Sequence, residues 1–64
     1  MIPLVEYIID YENGTLDSDQ ILDLFAELIR TGAAWRYQGS YGRTAHSLIQ
    51  NGFISETGEV LQRP

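Results

Sequence analysis

Leu16-Asp17-Ser18-Asp19-Gln20-Ile21-Leu22-Asp23-Leu24-Phe25-Ala26-Glu27-Leu28-Ile29-Arg30-Thr31-Gly32 holds a start signal, an apolar face and a stop signal in one uninterrupted stretch. Asp17 can accept from the backbone three residues on, and Gln20 can reach back to the Asp17 N–H, which makes a capping box. Leu16 and Ile21 flank it as a hydrophobic staple. Asp17 and Asp19 also suit the positive end of the helix dipole. Ile21, Leu24, Phe25, Leu28 and Ile29 recur at helical spacing, with Leu22 at the edge of their face. Glu27 precedes Arg30 by one turn and can pair with it on the outside. Gly32 supplies the left-handed stop. The stretch predicts a helix over about residues 17–31.

Working outward, Pro3 fits a first helical turn. Leu4, Ile8 and Tyr11 continue at i, i+4 and i+7, with Val5 and Ile9 widening the stripe, until Asn13-Gly14 stops the run. A helix over about residues 3–13 follows, too apolar to stand uncovered. On the other side, Ala33 to Gly39 reads as a connector, with Trp35 expected as a plug beneath it. Ser40 is placed to cap a third helix over about residues 41–51, whose face is Tyr41, Ala45, Leu48 and Ile49 and whose stop is Asn51-Gly52. Phe53-Ile54-Ser55 and Glu59-Val60-Leu61 flank Glu56-Thr57-Gly58 as a short hairpin over about residues 53–61, and Gln62-Arg63-Pro64 reads as a frayed end.

The expected fold is therefore mainly α: a single small domain over residues 1–64, with three helices and a short C-terminal β-hairpin. A chain of 64 residues buries only about 60% of its unfolded surface. It has no cysteine and a single histidine, so neither a disulfide nor a thiolate metal site can staple it. Assembly into a homo-oligomer is the remaining common staple, and the expectation is a symmetric one. No apolar run reaches the roughly 18 residues of a membrane span. Met1-Ile2-Pro3-Leu4 lacks a charged leader, which points to the cytoplasm.

The net charge of −5 argues against nucleic acid as a partner, but the charge is unevenly distributed. Seven of the nine acids lie in residues 1–27, and from Leu28 to Ser55 there is none, while Arg30, Arg36, Arg43 and His46 fall inside that span. Arginine on a chain without lysine favours planar, multi-donor contacts. Two uses for these arginines stay open: pairing with the acids of the first two helices, or holding an anion from outside.

The densest concentration of functional groups is Trp35-Arg36-Tyr37-Gln38-Gly39-Ser40-Tyr41-Gly42-Arg43-Thr44-Ala45-His46. Glycines that permit close approach, a helix start with free N–H groups, and two arginines are what a phosphate cradle needs. Arg36 and Arg43 would hold phosphate; Gly39, Ser40, Tyr41 and Gly42 would offer backbone or hydroxyl donors; Tyr37 or Trp35 would stack on a base; His46 would be a peripheral donor. The competing reading places the aromatics in the core and the glycines at a tight helix contact. The pattern is not a P-loop, for want of its lysine and glycine spacing, nor a dinucleotide fingerprint, since no strand precedes it. A third helix with only Arg43 and His46 as cationic groups, and a hairpin tip bearing Glu56 and Glu59, argues against a winged DNA reader. Ser40 and His46 are six residues apart on one helix and diverge around it, so no nucleophile–base pair forms, and no catalytic, metal or cofactor residues are assigned.

Leu16-Asp17, Leu24-Phe25, Leu28-Ile29, Thr31-Gly32, Trp35 and above all Gln38-Gly39-Ser40-Tyr41-Gly42-Arg43-Thr44-Ala45 resemble a family of very short proteins encoded mainly by tailed bacteriophages, over roughly residues 7–54. The resemblance implies a setting and no activity: small accessory phage proteins block bacterial defence by gripping a host protein or by sequestering a nucleotide messenger. Two functions are thus expected in competition. One is a non-enzymatic counter-defence protein that sequesters a phosphorylated nucleotide-like signal; the other is an inhibitor of a host protein by direct contact.

Overall fold

The computed structural model describes residues 2–37 and 39–63. Three helices form, α1 Leu4–Glu12, α2 Ser18–Thr31 and α3 Gly39–Gln50, with a 3₁₀ turn at Ala33–Trp35 between the last two. Helix α2 is the centre. Asp17 Oδ1 accepts from Gln20 N at 2.8 Å, and Gln20 Oε1 accepts from Asp17 N at 3.0 Å, which completes the expected capping box. Gly32 stops the helix at φ 81°. Leu22, Leu24, Phe25, Ala26, Leu28 and Ile29 are all buried, and are joined by Ala34, Tyr41, Ala45 and Ile54. A core side chain the size of leucine or phenylalanine contributes about 2 kcal/mol when removed from water, so α2 dominates the apolar driving force.

Helix α1 lies against α2 through Leu4, Tyr7, Ile8 and Tyr11, yet none of its residues is fully buried. Tyr11, Phe25 and Tyr41 form a three-ring contact that ties all three helices, with centroids 5.4 to 6.0 Å apart. Tilted and edge-on rings at such separations add to simple burial.

Several expectations are corrected. The C-terminal segment is not a hairpin: among the described residues it holds one antiparallel bridge, Ile54 to Val60. Around the bridge Ser55 N donates to Glu59 O at 2.8 Å and Leu61 N to Phe53 O at 2.7 Å, while the turn takes Gly58 N on Ser55 O and Glu59 N on Ser55 Oγ, so no longer ladder forms. The turn is also pressed onto α2, with Gly58 buried at φ 92°. A Cβ on Gly58 would come within 2.7 Å of Ala26 O and 2.9 Å of Arg30 N. The end is not frayed up to Arg63, whose guanidinium donates to Asp19 at 2.8 Å and Asp23 at 2.7 Å, while Gln62 Nε2 donates to Gly52 O at 2.9 Å. Pro64 lies outside the described residues. Trp35 is not a plug: it is 53% exposed, because Ala34 is the residue of the 3₁₀ turn that enters the core. Helix α3 begins at Gly39, so Ser40 sits inside its first turn and is not its cap; position 38, where a cap would fall, is outside the described residues.

Candidate functional site

The arginines divide into two kinds. Arg30 pairs with Glu27 at 2.7 Å, as its spacing predicts, and Arg63 pairs with Asp19 and Asp23. The hydrogen bonds to Asp19 and then Asp23 hold the Arg63 guanidinium above its ordinary pKa. Among the described residues no carboxylate pairs with Arg36 or Arg43, and both are exposed. The acids of α2 that face the cationic segment in sequence are thus spent on Arg30 and Arg63.

Gly39, Gly42, Arg43 and His46 follow one another at i, i+3, i+4 and i+7, which puts them on one face of α3. The Arg43 side chain turns back along this face: its Nη1 lies 3.1 Å from where a Cβ on Gly39 would stand. Trp35 closes the other side, with Cε3 3.8 Å from the corresponding point on Gly42 and Ala34 O 3.6 Å from it. The result is a glycine floor with an exposed indole at one margin, a guanidinium at the other and His46 one turn further on.

Packing does not require these glycines. A Cβ on Gly42 would meet its neighbours at ordinary van der Waals distance, and one on Gly39 would meet only the flexible tip of Arg43. The glycines that need a left-handed backbone are Gly14, Gly32, Gly52 and Gly58. A glycine inside a helix costs about 1 kcal/mol relative to alanine. Gly42 therefore lowers the helix propensity of α3 although the half-buried space beside it, against Ala34 and Trp35, has room for a methyl group.

The remaining expected residues are placed elsewhere. Tyr41 is buried, and its hydroxyl donates to Glu12 Oε2 at 2.8 Å, so it is not a free donor to a ligand. Burial, then the hydrogen bond to Glu12, pushes its pKa up to about 12. Tyr37 packs on Tyr41 with centroids 5.5 Å apart and lines a cleft with Ile8, Glu12 and Tyr41, beside a carboxylate and apart from the Gly42 floor. Arg36 is the exposed residue that caps the 3₁₀ turn at its C-terminal end, between the two regions. Ser40 is exposed in the first turn of α3, where N–H groups lack partners within the helix. Three clefts are lined by other residues for the most part, and neither Arg36 nor Arg43 lines any of them.

Glu12 is the participant that sequence reasoning missed. It lies four residues after Ile8, so it continues the margin of the α1 apolar stripe, and that spacing was the available signal. Nothing in the sequence marks Gly58 as a contact with α2. Among the described residues no helix is long and apolar enough to cross a membrane, and no group of histidines and acids is arranged to hold a metal.

Compared with known proteins, residues 1–64 match the model of a family described as "Domain of unknown function (DUF7417)". No curated protein and no solved structure gives a significant match.

Proposed function

The chain belongs to the DUF7417 family, and on that premise, with no activity to inherit, we propose that it is a non-enzymatic binder that sequesters a phosphorylated, nucleotide-like small molecule. The observation that carries this reading is the Gly39–Gly42 floor of α3, bounded by Trp35 and by an Arg43 that no acid of the described chain neutralises. A phosphate would be held by Arg43, with Arg36 adding charge, and by N–H groups of the first α3 turn. The Trp35 indole would stack on the base, and the missing Cβ atoms would let the ligand lie close to the helix backbone. His46 would add a donor at the far end.

Two parts of the proposal rest on other grounds. The bacteriophage setting, and with it a counter-defence role in the host cytoplasm, rests on the resemblance carried by residues 38–45. Homo-oligomer formation is supported by α1, which leaves Val5 71% and Ile9 53% exposed. A second copy over that helix would supply burial that 64 residues cannot.

Calorimetry with cyclic dinucleotides, cyclic mononucleotides and ADP-ribose derivatives tests the reading. Saturable binding of one class, lost in Arg43→Ala, supports it. No heat across the panel from the folded protein overturns it.

The exposed apolar residues Val5, Ile9 and Leu61 favour a second reading, inhibition of a host protein by direct contact. Of the acidic surface that contact would use, Asp19, Asp23 and Glu27 are already paired with arginines. Loss of activity in Val5→Asp with Arg43→Ala unaffected would favour this second reading over the first.

A further inference from the structure

Glu12 stands in a place that folding alone disfavours. It is the last residue of α1, at the negative end of the helix dipole, and the last turn carries no basic residue. A carboxylate there is locally unfavourable. Its only partner among the described side chains is the Tyr41 hydroxyl, on Oε2. A carboxylate has about four acceptor positions, so most of its capacity faces outward.

Around it the surface is aromatic and concave. Ile8, Glu12, Tyr37 and Tyr41 line a cleft of about 330 Å³. The Tyr37 and Tyr41 rings meet at 56° with centroids 5.5 Å apart, and Tyr11 lies behind Tyr41 at 5.7 Å. Tyr37 is 44% exposed, so its ring forms an open wall, whereas Tyr41 forms a buried floor. Tilted ring faces beside an exposed carboxylate offer two attractions for one kind of group: the ring quadrupole and the full negative charge both favour a cation. The same charge repels phosphate, which separates this cleft from the α3 floor.

We propose that the Ile8–Glu12–Tyr37–Tyr41 cleft is a binding site for an organic cation, the guanidinium or ammonium end of a basic side chain presented by a protein partner. The cation sits over the Tyr37 ring and hydrogen-bonds to the outward oxygen of Glu12, offsetting the unfavourable charge at the end of α1. Val5 and Ile9 lie on the adjoining flank of α1, at i−3 and i+1 from Ile8, and are exposed. The proposal is independent of the anion-binding reading.

The test is an NMR titration of the intact protein with ethylguanidinium and, separately, tetramethylammonium, against sodium chloride at equal ionic strength. The ring resonances of Tyr37 and Tyr41 are expected to shift saturably with at least one of the two cations and not with sodium. Glu12→Gln keeps a carbonyl to accept from Tyr41 and should weaken the association about tenfold, as expected for loss of a charge-assisted contact. Tyr37→Ala, at an exposed position, should weaken it comparably while the rest of the spectrum is retained. Absence of saturable shifts with both cations, or equal affinity in folded Glu12→Gln and wild type, overturns the proposal.

Discussion

The Tyr41 hydroxyl donates to Glu12 at 2.8 Å across 29 positions of sequence and so fastens the start of α3 to the end of α1. Tyr41→Phe keeps the ring contacts and removes only this bond, and should cost about 1 kcal/mol in urea unfolding. The pH dependence has a definite sign. The folded Tyr41 pKa, raised to about 12, lies above the ordinary phenol value of about 10, so its contribution is fully present below about pH 10. It is lost as pH rises from there through about 12. Thermal unfolding of the wild type should decline over that interval more steeply than that of Tyr41→Phe; parallel declines would remove this role.

Gly58→Ala forces a Cβ to within 2.7 Å of Ala26 O and 2.8 Å of Arg30 Cβ, at a φ of 92°. The turn must lift off α2, at a cost of about 2–4 kcal/mol. Gly14→Ala, at a similar φ with nothing within 4 Å, provides the control and should cost only about 1 kcal/mol. Equal costs in denaturant titrations would show that the contact between the turn and α2 contributes nothing.

Gly42→Ala separates folding from function. Its Cβ would sit 3.8 Å from the Trp35 ring, an ordinary contact, so the variant should be more stable by about 0.5–1 kcal/mol. The same methyl group fills the floor between Trp35 and Arg43, and ligand affinity should fall about tenfold or more. A variant that gains stability and keeps full binding would show that the floor is not the site.

Arg63→Ala removes both contacts to Asp19 and Asp23. The amides of Leu61 and Gln62, which donate to Phe53 O, should then exchange faster with solvent. The amides inside α2 should stay protected, because its core packing does not depend on that exposed arginine.

Local signals were the legible part of this fold. Asp17 and Gln20, Gly32, and the Glu27–Arg30 pair all depend on neighbours within a turn, and the structure has each of them. What sequence reasoning missed depends on distant partners. The segment after α3 has strand-like composition, but Gly58 is drawn onto α2 and the ladder ends after one bridge. Trp35 reads as core by residue type, yet the 3₁₀ turn gives Ala34 that place and leaves the indole outside. Arg63, at an end expected to be loose, finds two aspartates spaced one turn apart on α2. For the candidate site, the acid-free segment led to Arg36 and Arg43, whereas the divergence of Tyr37 and Tyr41 toward Glu12 needed coordinates.

Arg30 and Arg63 are paired with carboxylates of α2, and the proposed function leaves Arg36 and Arg43 for an anion. Arginine Nε–Hε resonances, followed by NMR during titration with the nucleotide that gives the strongest calorimetric signal, test it most directly. Saturable shifts are expected at Arg43 and Arg36, with Arg30 and Arg63 unmoved in their carboxylate pairs. Shifts confined to Arg30 and Arg63, or equal drift of all four with ionic strength, would contradict it.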